Sequence, residues 1–398
     1  MLQVTFPFCT MTSPLVRLSH ITLQVSNPQR IITDLVTKYR FRPFAARGLD
    51  GVAPCQVALR HGQVVFIVNE TPEKSSLLYD FAVPLPSPDT ACNISYEVED
   101  LPGLCRHLVS NGCRLLVPPT QLHSDAGSVS YSVVKSILGN VRHTLIDRSR
   151  YTGTILPGFQ PLHKEEDNPS PADVTRIDHV TYACPRGATP RIIEWYSRCF
   201  GFQHFPLREG EDPNRGFEIS GPQIGLRLTS VECSGREEVG KIVMAESLPQ
   251  QGLNQIDQFL QHHREGGIQH VGLLTPNIFR SAEALTDSGV LFAGQPPSYY
   301  TDPQKKEEIL CAGLAPQHLA RFGILLDTST ELQEDEERRI LLQVFAEPLF
   351  SKDSFYLELI ERRGAQGFGE GNIRALWRSM QDMIDDLSQK VQEGAVTQ

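Results

Sequence analysis

The sequence lacks three features that would place it in a common class. No apolar run approaches the roughly 20 residues that a membrane-spanning helix needs, so we expect no integral membrane segment. The nine cysteines include no Cys-x-x-Cys pair, which argues against a cysteine zinc site and favours reduced thiols over a disulfide framework. No basic cluster is present and the formal net charge is −10, which argues against nucleic acid as a partner.

Acidic residues are absent from the first 33 positions, and the first one is Asp34. The same stretch contains Arg17, Arg30 and several serines and threonines, a composition typical of a mitochondrial targeting segment. Pro7 and Pro14 oppose that interpretation because they interrupt any amphipathic helix. We therefore predict a mitochondrial location, with a cytoplasmic location as the alternative.

Length and composition indicate a globular protein of two domains. The 398 residues exceed what one hydrophobic core usually organises, and the apolar share (40%) and charged share (21%) are ordinary for a globular chain. A polar, proline-bearing segment at residues 163–173 is the predicted interdomain linker. The predicted N-terminal domain therefore covers residues 1–162, and the predicted C-terminal domain covers residues 174–398.

The N-terminal half alternates strand and helix patterns in a βαβββ-like order. Alternating apolar and polar residues predict strands, and a run of helical periodicity that ends at a glycine predicts a helix. The predicted strands cover residues 18–25, 63–68, 94–98, 129–137 and 142–146, and the predicted helices cover residues 28–39 and 101–111. The order starts again after the linker.

Three short stretches of the second half each carry one potential metal ligand inside an alternating run: His179, His270 and Glu358. Two imidazoles and one carboxylate on neighbouring strands form the ligand set that holds non-heme Fe(II) and leaves positions open. Each histidine could instead be a packed core residue. Glu358 could face solvent or pair with Arg362 or Arg363, since burying it ionised and alone would cost several kcal/mol.

The two halves can be aligned by short similar segments, which indicates a duplicated unit. Residues 17–22 resemble residues 176–181, residues 94–96 resemble 268–270, and residues 145–148 resemble 359–362. On this alignment the first half has His20, Tyr96 and Thr144 at the three ligand positions. We therefore predict that only the second half binds a metal, and that His20 is a packed strand histidine.

These stretches, together with residues 342–345 and the glycine-rich residues 366–372, resemble the signature of the 4-hydroxyphenylpyruvate dioxygenase family. The resemblance covers nearly the whole chain. It implies an α+β vicinal-oxygen-chelate fold, with paired βαβββ modules in two barrel-like domains and iron only in the C-terminal one. Relatives commonly associate as dimers or tetramers, so the resemblance is also compatible with a homodimer.

The same resemblance implies the site. His179, His270 and Glu358 would hold Fe(II), and an aryl pyruvate and O2 would be the substrates. Asn372 belongs to the glycine-rich segment that carries the resemblance. The implied substrate pocket comprises Gln255, Gln269, Gln343, Phe345, Phe368, Asn372 and Ile373.

The chain departs from the family at several pocket positions. Ala245 falls where the family has an asparagine, and the family's pocket serine falls near Leu228 or Ser230. Ile373 stands where the family's dioxygenases carry a phenylalanine that presses on the substrate ring. Relatives that make 4-hydroxymandelate resemble this chain in having a smaller apolar residue at that position. The smaller residue lets the substrate ring lie farther from the metal, so the benzylic carbon is attacked instead of the ring.

We therefore predict an enzyme that converts 4-hydroxyphenylpyruvate and O2 to 4-hydroxymandelate and CO2. One alternative is the ring-hydroxylating reaction that yields homogentisate, and another is a non-catalytic protein that binds an aromatic acid or a protein partner. A catechol-cleaving extradiol dioxygenase shares the fold and ligand set, but here only His318, Tyr299 and Tyr300 are available for its extra histidine and tyrosine.

The last stretch, residues 372–394, predicts a lid helix. Apolar residues recur there at three- and four-residue steps from Ile373 to Leu387, and Asn372 is a suitable N-cap. The family uses this helix to gate its active site, a role that a terminal helix can perform.

Overall fold

A computed structural model describes residues 13–48, 56–70, 89–162, 172–204, 216–220, 225–248, 254–328, 339–350, 355–365, 367, 369 and 371–373. Most of the predicted linker and all of the predicted lid helix after Ile373 lie outside the described residues, so the domain boundaries remain a prediction. Residues 1–12 of the acid-poor stretch also lie outside them, and the location of the protein stays a prediction. No described helix is long and apolar enough to cross a bilayer.

The described residues of the first half of the chain form one nine-stranded sheet. Its strands are β1 (Leu15–Val25), β2 (Arg42–Arg47), β3 (Gln56–His61), β4 (Val64–Glu70), β5 (Thr90–Val98), β6 (Leu115–Ser124), β7 (Gly127–Lys135), β8 (Arg142–Tyr151) and β9 (Gln160–Pro161). They lie in the order β6-β7-β8-β5-β1-β4-β3-β2-β9. The two helices are α1 (Pro28–Thr37) and α2 (Leu101–Ser110).

Each half of this sheet is one βαβββ module, and antiparallel pairing of β1 with β5 joins them. Helix α1 shows why the sequence folds this way. Pro28 suits the first helical position, and the Asn27 side chain accepts a hydrogen bond from the Arg30 backbone. Ile31 and Leu35 lie four residues apart, and both are buried.

In the second half, too, the residues that the structure describes form a sheet of nine strands. Its strands are β10 (Arg176–Cys184), β11 (Gln203–His204), β12 (Phe217–Ser220), β13 (Gly225–Glu232), β14 (Lys241–Ser247), β15 (Gly267–Leu274), β16 (Leu325–Thr328), β17 (Ile340–Phe345) and β18 (Tyr356–Arg363). The helices are α3 (Thr189–Phe200), α4 (Gln255–His262), α5 (Ile278–Asp287), α6 (Pro297–Thr301), α7 (Pro303–Cys311) and α8 (Pro316–Phe322), with a short 3-10 helix at Glu237–Val239.

The strand order of the second sheet repeats that of the first. It runs β11-β13-β14-β10-β15-β18-β17-β16, with β12 paired to β13. The pair β10–β15 takes the central place that β1–β5 has in the first sheet, and β14 and β18 flank it in parallel, as β4 and β8 flank the first pair. The predicted α+β class with paired βαβββ modules in two curled sheets is confirmed.

The register of the strands corrects one part of the predicted alignment between the halves. His270 lies opposite Thr181 on β10, and Asn93 lies opposite Thr22 on β1. The counterpart of His270 is therefore Asn93, not Tyr96, because short similar segments do not fix which residues pair across a sheet. His20 and Thr144 keep the positions predicted for them.

Candidate metal centre

Three neighbouring strands, β10, β15 and β18, bring His179, His270 and Glu358 together. The Nε2 atoms of the two histidines are 3.4 Å apart. Oε2 of Glu358 lies 3.2 Å from Nε2 of His179 and 3.4 Å from Nε2 of His270. All three side chains are buried, and their ligand atoms lie within 4.8 Å of one another. The structure thus gathers the three predicted ligands at one point.

Burial and mutual charge set the protonation of this cluster. Burial lowers the pKa of His179, but the carboxylates of Glu358 and Asp178 outweigh it and raise that pKa to about 9. Burial raises the pKa of Glu358, but the two histidines, chiefly His179, bring it down to about 2. The pKa of His270 is lowered, chiefly by burial. Without a metal, a proton on His179 therefore offsets the charge of Glu358.

His179 is oriented by a buried ion pair. Its Nδ1 lies 3.0 Å from Oδ1 of Asp178, and Arg362 donates to both carboxylate oxygens of Asp178, at 2.6 and 2.8 Å. A register shift between Ile177 and His179 bends β10 here, so that two adjacent side chains meet. Arg362 holds the pKa of Asp178 well below its usual range, although burial alone would raise it. A carboxylate on Nδ1 leaves Nε2 free to bind a metal.

The second oxygen of Glu358 is held by a chain of amides. Nε2 of Gln343 donates to Oε1 of Glu358 at 2.9 Å, and Nδ2 of Asn372 donates to Oε1 of Gln343 at 2.8 Å. The hydroxyl of Tyr299 donates to Oδ1 of Asn372 at 3.1 Å. Oε2 of Glu358 is buried, and apart from the two histidines it has no hydrogen-bond partner within the part of the chain that the structure describes. It is the oxygen that faces both histidines.

Two contacts fix the rings of the histidines. The ring of Tyr356 stacks on His270, with centroids 4.6 Å apart and planes at 17°. Gly272, opposite His179, leaves room for the other ring, because a Cβ there would lie 2.4 Å from Cε1 of His179. A side chain at position 272 would displace His179.

A cavity of about 860 Å³ opens against the three ligand candidates. Its volume falls within the range of about 300–1,000 Å³ that is usual for small-molecule sites. Polar wall residues include Thr181, Gln258 and Gln295, and apolar ones include Leu226, Val243 and Pro296. Five of the predicted pocket residues line this cavity: Gln255, Gln269, Gln343, Phe345 and Ile373.

The other two predicted pocket residues differ from these. Asn372 is fully buried and contacts the site through Gln343, so it supports the pocket from behind. Phe368 lies outside the described residues. Residues 371–373 begin a helical turn, and the backbone of Ile373 donates to the carbonyl of Gly369.

Several residues of the site had not been predicted from the sequence. Asp178 carried no signal of its own, although its place beside a candidate ligand could have marked it. Tyr356 follows Phe355 directly, and an aromatic ring two positions before Glu358 shares its face of the strand. Tyr299 lies in the helical insertion between β15 and β16, and no sequence pattern marked it as the partner of Asn372.

The structure also places the residues at which this chain departs from the family pattern. Ala245 and Leu228 are opposite each other on β14 and β13, and both line the cavity. Ser230 lies two residues farther along β13 and is buried. The family resemblance implies an asparagine and a serine in this wall of the cavity, but Ala245 and Leu228 make the wall apolar here.

The donor set fits a divalent transition metal. Two imidazole nitrogens converge on a buried carboxylate oxygen that has no other hydrogen-bond partner in the described structure, and a bound cation would satisfy all three. Two histidines and one carboxylate form the facial set that suits Fe(II) with open positions. Binding would release the proton of His179, since a ligand imidazole must be neutral.

The chain has a vicinal-oxygen-chelate fold, and one of its sheets gathers three buried candidate metal ligands. The fold matches a mutant of 4-hydroxymandelate synthase from Streptomyces coelicolor with a TM-score of 0.75 at 23% identity, over 92% of this chain and 98% of that one. A 4-hydroxyphenylpyruvate dioxygenase-like protein of Mus musculus is 42% identical over 378 residues, which are 94% of this chain and 98% of that protein. This chain belongs to the 4-hydroxyphenylpyruvate dioxygenase-like family.

More distant relatives extend the similarity. The 4-hydroxyphenylpyruvate dioxygenase of Caenorhabditis briggsae is 27% identical over 384 residues, which cover 92% of this chain and 91% of that protein. No protein-family model matches the chain.

Proposed function

We propose that this chain is an Fe(II)-dependent dioxygenase that converts 4-hydroxyphenylpyruvate and O2 to 4-hydroxymandelate and CO2. The observation that carries the proposal is the position of three buried ligand candidates on the wall of a cavity of about 860 Å³. Membership of the family supports the dioxygenase class, and the name of a more distant relative supplies the substrate.

His179, His270 and Glu358 would hold the metal. Bound Fe(II) would supply electrons and open coordination positions to dioxygen and to a 2-oxo acid. The protein keeps the three ligands in place through Asp178 on one side and Gln343 on the other.

Donors near the centre suit the carboxylate and keto oxygens of a 2-oxo acid. Nε2 of Gln269 and Oγ1 of Thr181 are buried and have no hydrogen-bond partner in the described ranges, and both residues line the cavity. An unpaired buried donor costs about 1–3 kcal/mol. A substrate that accepts hydrogen bonds from these groups would recover that cost, which favours an oxygen-rich ligand beside the metal.

Apolar walls suit the aromatic ring. Leu226, Leu228 and Val243 line one side of the cavity, and Phe345 lines another. They can hold a ring by apolar contact and offset stacking while keeping water away from the reacting atoms.

The product follows from the size of the residue at position 373. Ile373 packs against the apolar cluster of Leu226, Leu228 and Ala245 and lines the cavity. A phenylalanine there would press on the substrate ring and hold it near the metal. With isoleucine the ring can lie farther away, which favours attack on the benzylic carbon and hence 4-hydroxymandelate.

The test is anaerobic reconstitution with Fe(II), addition of 4-hydroxyphenylpyruvate and oxygen, and chromatographic identification of the product. We expect 4-hydroxymandelate from the wild type and a shift toward homogentisate from Ile373→Phe. Ile219→Phe, in the same apolar cluster but away from the cavity lining, is the matched control and should not change the product.

Two results would contradict the proposal. Homogentisate from the wild type would keep the metal centre but remove the role given to Ile373. A protein that forms neither product, and whose iron content is unchanged in His270→Ala, would be a binding protein without the proposed iron site.

A further inference from the structure

Two cysteines from opposite halves of the chain meet in the structure. Cys113 lies between α2 and β6, and Cys199 lies in the last turn of α3. Their Sγ atoms are 3.2 Å apart, although the two residues are 86 positions apart in the sequence. A disulfide bond is about 2.05 Å long, so the two sulfurs need to approach by about 1 Å to form one. The fold therefore places two thiols within bonding reach.

Hydrogen bonds hold this part of the chain in place. The Cys113 amide donates to the carbonyl of Leu108 at 2.9 Å, and Gly112 before it adopts a φ of 78°, which ends helix α2. A second contact joins the same two parts of the chain, because Nε2 of His107 lies 2.9 Å from the carbonyl oxygen of Arg198. The contact between the two sulfurs is therefore supported by the backbone around it.

The two thiols differ in their exposure and acidity. Cys199 is 1% exposed and Cys113 is 9% exposed. The hydrogen bond from the Cys199 thiol lowers the pKa of Cys113, although burial raises it. The same hydrogen bond raises the pKa of Cys199. Cys113 is thus suited to react first as a thiolate, and Cys199 is the buried partner that can resolve the product.

A metal site does not account for this pair. Within the described ranges, the only group of three or more possible ligands for one metal ion is the one on the second sheet, so no third ligand joins Cys113 and Cys199. Cys184 and Cys233, by contrast, each contact an oxygen atom of another residue. Two thiols in contact without a metal are the arrangement that oxidation can join.

We propose that Cys113 and Cys199 form an oxidation site, at which a peroxide closes a disulfide bond between the two halves of the chain. With hydrogen peroxide, the Cys113 thiolate attacks one oxygen, the O–O bond breaks, and the leaving hydroxide takes up the thiol proton as water. Cys113 then carries a sulfenic acid. The sulfur of Cys199 attacks the sulfur of Cys113, and the S–O bond breaks to release a second water. In sum, two thiols lose two hydrogen atoms, and one peroxide is reduced to two water molecules.

The disulfide would fasten the first half of the chain to the second. It would link residues 86 positions apart, and a cross-link over so long a loop stabilises a fold mainly by restricting the unfolded chain. Neither cysteine lines the cavity at the candidate metal centre, and the inference does not depend on the proposed reaction.

The test is peptide mapping of the full-length wild type by mass spectrometry. Reduced protein is treated with hydrogen peroxide, blocked with iodoacetamide and digested without a reductant. We expect a cross-linked peptide pair that contains Cys113 and Cys199, two hydrogens lighter than its separate peptides, and we expect dithiothreitol to separate it. The exposed Cys311 reports whether enough oxidant was present. If Cys311 is oxidised and the Cys113–Cys199 link does not form, or if either cysteine is linked to a different one, the inference is wrong.

Thermal unfolding tests the consequence of the bond. The Tm of the peroxide-treated wild type should rise by several degrees over that of the reduced protein and fall back after dithiothreitol. Cys199→Ser should show no such rise, whereas Cys105→Ser, which removes another buried cysteine on α2, should keep it. An unchanged Tm in the cross-linked wild type would mean that the bond does not fasten the two halves. Because the mapping and the first Tm comparison use the wild type, they stay decisive even if a variant fails to fold.

Discussion

The two sheets place different residues at the same three positions, and the difference separates a candidate metal centre from an ordinary packed sheet. His179, His270 and Glu358 in the second sheet correspond by strand register to His20, Asn93 and Thr144 in the first. In the first sheet these groups are satisfied by neutral partners. Nε2 of His20 lies 2.9 Å from the Ser95 hydroxyl, and Asn93 donates to Thr144 at 2.8 Å.

The space around the two sets differs as well. Ser95 occupies the position that Gly272 has in the second sheet, and it bonds to the ring of His20, which confirms that His20 is a packed strand histidine. Apolar side chains, among them Val133, Ile155 and Phe159, pack together on the first sheet. Val133 lies opposite Thr144, as Phe345 lies opposite Glu358. A core thus fills the face that bears a cavity in the second sheet.

The largest effect should come from His270→Asn, which gives the second sheet the residue of the first. Loss of a residue that only supports a metal ligand lowers metal affinity by about 10- to 100-fold. Loss of the ligand itself should therefore lower iron affinity by more than about 100-fold. The measurement is iron per folded protein after anaerobic reconstitution and desalting. Asn93→Ala is the control and should keep its iron. Full iron in His270→Asn would mean that His270 is not a ligand.

Gly272→Ser should have the next largest effect. The new Cβ would meet the ring of His179 at 2.4 Å, so the ring must move away from Glu358. We expect iron affinity to fall about 100-fold, as when a ligand loses its orientation. The reverse change in the first sheet, Ser95→Gly, should leave iron affinity unchanged. Equal affinities in the two variants would show that the space at Gly272 is not needed.

Asp178→Ser removes the carboxylate that orients His179. It introduces a serine, the residue that stands at the equivalent position of the first sheet, Ser19. Oγ of Ser19 lies 3.2 Å from Nδ1 of His20, a neutral version of the same contact. Iron affinity should fall about tenfold, the lower end of the cost of losing such a partner. The exposed Asp173 provides the control: Asp173→Ser should bind iron as the wild type does. A wild-type affinity in Asp178→Ser would leave Asp178 without a role at the metal.

The last prediction concerns the stability of the metal-free protein and its dependence on pH. Burial lowers the pKa of His20 to about 3, below its unfolded value of about 6.5. The contribution of His20 to the free energy of unfolding is therefore fully present above pH 6.5. It is lost as the pH falls, by about 2 kcal/mol between pH 6.5 and pH 5. The pKa of His179 is raised. In metal-free protein its contribution to the free energy of unfolding is therefore present below pH 6.5 and is lost as the pH rises through about 9.

Urea unfolding of metal-free protein from pH 5 to pH 9 checks these opposite signs. His20→Gln should flatten the acid side of the stability curve, and His179→Gln should flatten the alkaline side. If the free energy of unfolding depended on pH in the same way in both variants, the opposite pKa shifts of the two histidines would be contradicted.

The sequence predicted that three ligand candidates would meet, because each lies in a strand with a strong local pattern, and the structure brings them together. That they bind a metal stays a prediction. The sequence could not assign the counterpart of His270, because the pairing of Asn93 with Thr22 depends on register shifts in β1 that leave no local trace. Strand β6 was not predicted, since Pro118 and Pro119 argue against a strand. Their place at the sheet edge explains why they are tolerated.

Other parts of the site depend on contacts far apart in the chain. Gln343 was predicted as a pocket residue from the resemblance, but its bond to Glu358 and its own support by Asn372 needed the structure. Arg362 was considered a partner of Glu358. It instead pairs with Asp178, because the bend in β10 turns that carboxylate toward it.

The distance between the ligand strands along the chain bears on how the proposed metal would be loaded. His179 and His270 are 91 residues apart, and a similar stretch, which includes helices α5 to α8, separates His270 from Glu358. The unfolded chain therefore holds no preassembled chelating cluster. Contacts of such long range form slowly, so metal loading follows the closure of the sheet. Iron should accordingly slow the unfolding of the protein much more than it speeds its folding.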